Sequence, residues 1–119
     1  IAHNIRSIRK PANIHATAIL LDSMNPEVLL LSETWLSTST MKLIHNSYEQ
    51  FNSPPQKYEG VAILSKKELK ARPVRQNDWT PNYMFVAIGN LIVISCYLNP
   101  RRKNELLETV IWFANDFIQ

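Results

Sequence analysis

Pro26-Glu27-Val28-Leu29-Leu30-Leu31-Ser32-Glu33-Thr34-Trp35-Leu36 decides how the rest of the chain is read. Val28 to Leu31 run without a polar break behind Pro26. An apolar run this short is a strand buried on both faces, as in a layered α/β sheet. It ends in Ser32-Glu33-Thr34, so a carboxylate stands where the strand leaves the core. Strand ends are where α/β sheets gather ligand and metal groups, and a carboxylate there needs a positive or hydrogen-bonding partner. Taken alone, Glu33 is either paired with a neighbouring arginine, a turn cap, or a ligand.

Working outward, Ile1 to Ile8 reads as the end of a first strand and its exit loop. Pro11 suits a first helical turn, and Ile14, Ala18 and Leu21 form a stripe at helical spacing. The expected helix runs from Ala12 to Met24, because Asn25 precedes Pro26 and leaves the helical region. Downstream, Leu36 to Asn46 is rich in Ser and Thr and reads as loop, with a short turn around Met41 to Ile44. Tyr48 to Asn52 and Val61 to Leu64 are strand candidates on either side of Ser53-Pro54-Pro55. Leu69, Ala71 and Pro73 alternate with Lys70 and Arg72, the pattern of a half-exposed strand with proline near its edge. After a loop holding Trp79, Tyr83–Ile88 and Leu91–Leu98 are joined by Gly89-Asn90, a two-residue hairpin signal.

Asn99-Pro100 stops that strand, and Asn104 is placed to cap a helix running to the C-terminus. In it Leu106, Val110, Phe113 and Phe117 form one stripe, with Leu107, Ile111, Ala114 and Ile118 beside it. A helix apolar over so wide an arc is packed on more than one side. The stripe of Leu106, Val110, Phe113 and Phe117 is therefore the expected surface for a protein partner or for further domain.

The 119 residues are one domain's worth at most, and 45% hydrophobic with 19% charged residues excludes a disordered chain. No stretch reaches the ~18–20 apolar residues of a transmembrane helix, so no membrane partner is expected. No signal peptide is visible, and an opening Ile1 suggests a piece cut from a longer product. The one cysteine, Cys96, fits a reducing, intracellular setting better than secretion, and inside an apolar strand it reads as a small core residue. A net charge of +3 and a pI near 9.2 are compatible with nucleic acid without indicating it.

Four segments occur in order: Ala2-His3-Asn4-Ile5-Arg6-Ser7-Ile8; Ser32-Glu33-Thr34-Trp35-Leu36; Gly60-Val61-Ala62-Ile63-Leu64; and Ile92 to Pro100 with Tyr97-Leu98-Asn99-Pro100. The series resembles the first half of the endonuclease/exonuclease/phosphatase family, most of all the endonuclease domain of non-LTR (LINE-type, jockey-like) retrotransposon reverse-transcriptase polyproteins. The resemblance implies an α/β fold, half of a four-layer α/β sandwich. We expect residues 1–119 to form part of one such domain: a mixed, largely antiparallel sheet with both helices on one face. The family's usual glycine cluster is reduced here to Gly60.

The resemblance further implies a Mg²⁺ and phosphate site. Asn4 and Glu33 stand at the catalytic positions by motif, with Glu33 as the metal ligand, since Mg²⁺ needs only one or two carboxylates. Tyr97 matches the active-site tyrosine that hydrogen-bonds phosphate, although a half-buried strand tyrosine has the same local pattern. Asn99, Arg101, Arg102 and Lys103 are the candidate DNA contacts, against the alternative of a solvated basic loop. Lys66, Lys67, Lys70, Arg72 and Arg75 are a more diffuse basic stretch. Trp35 and Trp79 either stack on bases or pack as core or lid.

The family's Asp-x-Asn and Ser-Asp-His motifs belong to its second half and have no counterpart here. Asn115-Asp116-Phe117-Ile118 has Ile118 where Asn is needed and lies within a helical pattern. None of His3, His15 and His45 fits the general acid/base position. Two expectations follow. One is the N-terminal part of a DNA-nicking endonuclease, nuclear and catalytically incomplete by itself. The other is a non-catalytic fragment serving as an interaction subunit, with RNA or a protein as partner.

Overall fold

The strands follow the order of the apolar runs, with one α-helix after the first strand and one after the last; a computed structural model describes residues 1–36 and 43–118. β1 (Ala2–Asn4) leads into α1 (Pro11–Met24) and back to β2 (Val28–Ser32). β1 and β2 are parallel neighbours, Asn4 level with Ser32, as a strand–helix–strand crossover requires. β4 (Val61–Lys66) pairs antiparallel with β2 on one side and with β3 (Tyr48–Asn52) on the other, giving the mixed order β1-β2-β4-β3. A second, antiparallel sheet follows: β5 (Arg72–Pro73), β6 (Tyr83–Ile88) and β7 (Leu91–Cys96). The hairpin turns at Gly89-Asn90 as its sequence demands, with Gly89 at φ +59° and Ile88 opposite Leu91. α2 (Lys103–Ile118) ends the described chain.

The α/β class and the mixed, largely antiparallel pairing are as expected from sequence. The placing of both helices on one face of a single sheet is not. α1 lays Ile14, Ala18 and Leu21 on Leu29, Leu31, Ala62 and Leu64 of the first sheet. The opposite face of that sheet, with Val28, Leu30, Val61 and Ile63, joins the second sheet and α2 in a separate cluster. Phe85 of β6 meets Phe113 and Phe117 of α2 at ring-centroid distances of 5.0 and 5.2 Å. Met84 and Val86, on alternate positions of the same strand, turn toward the first sheet. All four layers of the sandwich are thus present, each narrow, in the order α1, first sheet, second sheet, α2. The physical reason is that β6 is buried on both faces, so it needs a helix on one side and a sheet on the other.

Four smaller expectations change. The stripe of Leu106, Val110, Phe113 and Phe117 faces the second sheet and is no surface for a partner. Leu107, Ile111, Trp112 and Ile118 are the exposed apolar residues of α2. α2 begins at Lys103, which puts Asn104 inside its first turn instead of at the cap. Cys96 is exposed at the end of β7, where strand alternation leaves the core, and partial desolvation raises its thiol pKa above the ordinary value. The expected strand at 69–73 shrinks to Arg72–Pro73, preceded by a 3-10 turn at Lys67–Leu69. The turn expected around 41–44 lies partly outside the described residues.

Candidate active site

The C-terminal ends of β1, β2 and β7 and the N-terminal ends of β4 and β6 all lie at one end of the sandwich: the registers align them within each sheet, and the hydrogen bonds from Gly60 N–H to the Pro81 carbonyl and from Asn99 to Glu59 join the two sheets there. Past the paired strands, β1 and β2 stay zipped. Ile5, Ser7 and Ile8 donate backbone N–H groups to the carbonyls of Ser32, Glu33 and Thr34 at 3.1, 2.8 and 2.8 Å. Asn13, in the first turn of α1, clamps this exit by donating its side-chain amide to the carbonyls of Arg6 (2.9 Å) and Ser7 (3.2 Å).

Two side chains that sequence reading singled out, Asn4 and Glu33, meet here directly. Asn4 Oδ1 accepts the Arg6 N–H at 3.1 Å, which turns its NH₂ toward the carboxylate, and Nδ2 donates to Glu33 Oε2. The amide thereby orients Glu33 without neutralising it. Among the described residues no three His, Cys, Asp or Glu side chains cluster as metal ligands. A single oriented carboxylate is too little for zinc, which takes three or four side chains. It suits Mg²⁺, which keeps several waters and uses one or two carboxylates.

Glu59-Gly60 is the joint between the two sheets. The Glu59 carbonyl accepts the Trp35 N–H (2.8 Å), the Gly60 carbonyl accepts the Thr34 N–H (3.2 Å), and the Gly60 N–H donates to Pro81 (3.0 Å). Only glycine fits, because φ is +113° and a Cβ would lie 2.2 Å from Thr34 Oγ1. Tyr97 is half-buried against the second core and donates its N–H to the Asn82 carbonyl at 2.8 Å. Asn99 follows with both polar groups engaged: Nδ2 donates to Glu59 Oε1 (3.3 Å) and Oδ1 accepts the Arg101 N–H (3.0 Å). It shapes the turn that presents the basic residues. Arg102 pairs with Glu105 at 3.2 Å, whose hydrogen bond and charge raise the guanidinium pKa. Arg101 and Lys103 are exposed and enter no ion pair among the described residues.

Sequence reading missed several residues of this end. Arg6, Arg9 and Lys10, all exposed on the β1–α1 loop, and exposed Lys57 on the β3–β4 loop add to its basic rim. No local signal distinguishes them from solvated charges; the parallel pairing of β1 and β2 brings the first three here, and the bonds of Glu59 and Gly60 to Trp35 and Thr34 bring Lys57. The basic stretch from Lys66 to Arg75 lies elsewhere. Lys66 and Arg72 sit toward the opposite ends of β4 and β6, and Arg75 pairs with Asp116 of α2. Trp79 is core, its indole N–H bonded to the Val74 carbonyl at 2.9 Å. Among the described residues eight non-glycine positions have positive φ, and five of them, Arg6, Ser7, Glu33, Trp35 and Tyr58, are at this end. Backbone strain of this kind gathers at functional sites.

Residues 1–103 match the Endonuclease/Exonuclease/phosphatase family. The chain belongs to that family. No curated protein matches the sequence. Among solved structures, the fold is similar to the 3′ phosphatase NExo (D146N) from Neisseria bound to product DNA hairpin: TM-score 0.75, 19% identity, 98% of this chain and 51% of that one. It is also similar to an AP endonuclease from Archaeoglobus fulgidus (TM-score 0.64, 21% identity, 82% and 39%). The endonuclease domain of TRAS1, a telomere-specific non-LTR retrotransposon, gives a TM-score of 0.64 at 17% identity, covering 92% and 50%. The chain therefore spans about half or less of these endonuclease/exonuclease/phosphatase structures. At such identities the likeness is one of fold.

Proposed function

We propose that residues 1–119 are the N-terminal part of a Mg²⁺-dependent DNA endonuclease domain from a retrotransposon polyprotein. The observation that carries this reading is the contact of the Asn4 amide with the Glu33 carboxylate, at the adjoining ends of two parallel strands and among exposed cations. Glu33 would hold Mg²⁺, with Asn4 fixing the carboxylate. A bound Mg²⁺ offsets charge on a phosphodiester under attack by water. Tyr97 supplies a hydroxyl donor to phosphate, and Arg101 and Lys103, with Arg102 on its Glu105 tether, draw the DNA backbone to the site. Asn99 contributes by holding that basic turn.

The site is incomplete by itself, because the family's water-orienting Asp-x-Asn and its Ser-Asp-His motif have no counterpart here. Two measurements test this. Mn²⁺, a paramagnetic stand-in for Mg²⁺, should broaden the amide resonances around Asn4 and Glu33, and Glu33→Gln should abolish the effect. Supercoiled plasmid with Mg²⁺ should not be nicked by the chain alone. Absence of Mn²⁺ broadening would end the metal reading. Nicking abolished by Glu33→Ala would show that 119 residues suffice for catalysis.

A second reading, a non-catalytic interaction subunit, draws on the exposed apolar residues Leu107, Ile111, Trp112 and Ile118 of α2. These are what a partner protein would cover. Loss of the glycine cluster before Val61 favours it as well.

A further inference from the structure

We propose that Tyr58 is a stacking platform for an unstacked nucleobase beside Glu33; the proposal rests on the nucleic-acid reading above. Tyr58 lies on the β3–β4 loop, is 57% exposed, and has φ +62°. A bulky residue holds that left-handed conformation only where its surroundings impose it. The imposition comes from Glu59 and Gly60, whose carbonyls are bonded to Trp35 and Thr34, the residues that follow Glu33. The loop is thereby seated on the β2 exit, and the Tyr58 ring stands out over it. Its ring and that of Trp35 meet edge-to-face, 5.2 Å between centroids and 89° between planes. Lys57 Nζ lies 5.1 Å from the Tyr58 centroid. Trp35, itself only partly exposed, backs the ring through that contact.

An exposed aromatic ring with a cation at hand is how proteins hold single-stranded nucleic acid. The base stacks on the ring and the backbone phosphate takes the charge. An exposed lysine–tyrosine contact is weaker than base stacking. An arriving base therefore displaces Lys57 from the ring, and the freed ammonium remains beside the adjacent phosphate. In an intact duplex each base is already stacked on its neighbours and offers Tyr58 no face. Tyr58 thus selects a strand with an unpaired base near the site over a fully paired one.

The test is fluorescence-anisotropy titration of the 119-residue chain, without divalent metal, against a labelled oligothymidine and a fully paired duplex of equal length. We expect tighter binding of the single strand, a loss of roughly tenfold on the single strand alone in Tyr58→Ala, and retention in Tyr58→Phe. Tyr58→Asn, which removes the ring but suits positive φ, should match Tyr58→Ala and guards against a folding effect. Lys57→Ala should flatten the salt dependence by about one counterion. Unchanged single-strand affinity in Tyr58→Ala and Tyr58→Asn, or an equal loss on the duplex, would overturn the platform while leaving the nucleic-acid reading standing. Failure to bind either oligonucleotide at low salt would overturn both.

Discussion

The two outer layers of the sandwich are closed to different degrees. α1 packs its stripe of Ile14, Ala18 and Leu21 on the first sheet and leaves Ile19 and Met24, which share no stripe, exposed. α2 presents two stripes, and the second sheet uses only Leu106, Val110, Phe113 and Phe117. Leu107, Ile111, Trp112 and Ile118 are exposed, as are Leu91 and Ile92 on β7, the outermost strand. The edges differ likewise. β5 is blunted by Arg72-Pro73, a charge and a proline, whereas Leu91–Cys96 carries neither. The difference teaches that a helix can be firmly anchored and still leave half of its apolar surface unused.

The strongest way to break this contrast is through the aromatic anchor of the α2 side. Phe85→Ala removes a fully buried ring from contact with Tyr83, Phe113 and Phe117. We expect a loss of about 3–5 kcal/mol in urea unfolding, against about 2–4 kcal/mol for Leu21→Ala on the α1 side. An equal or smaller loss for Phe85→Ala would mean that α2 is not held by this cluster. Next, Gly60→Ala forces a Cβ onto Thr34 and strains φ, and should destabilise by about 1–3 kcal/mol. Its amide-exchange signature should appear at Thr34 and Trp35, leaving the α1 core protected.

Smaller effects sharpen the contrast. Ile111→Lys with Trp112→Lys should change stability by no more than about 0.5 kcal/mol yet reduce self-association in light scattering. A large destabilisation would show that the second stripe is packed after all. Smallest is Cys96: its raised pKa keeps the thiol protonated at neutral pH. Its alkylation should be slower than that of a free cysteine and should accelerate only at alkaline pH.

Much of this was legible in the sequence. The hairpin at Gly89-Asn90, the strand at Tyr48–Asn52 and the end of α1 before Pro26 follow from local backbone chemistry, which acts over a few residues. The motifs around Asn4 and Glu33 single them out as candidates, and the fold brings the two side chains into contact. What failed was long-range. Nothing in Tyr83–Ile88 says that a sheet covers one face and a helix the other, so the two sheets read as one. The two stripes of α2 are equally apolar, and the choice between them depends on Phe85. Arg6, Arg9 and Lys10 resemble any solvated charges until β1 pairs with β2. Tyr58 carries no motif of its own two residues before Gly60, and only its φ and its contact with Trp35 make it stand out.

β1 carries one further consequence. It is three residues long and, among the described residues, lies at the edge of its sheet, bonded only to β2. Short edge strands open at far lower free energy than the core they flank. Peeling β1 away separates Asn4 from Glu33 while β2, β4 and the second sheet remain intact. Half of the proposed phosphate site is thus mounted on an edge strand, and hydrogen exchange at His3 and Asn4 would report the assembly of the site, independently of global unfolding.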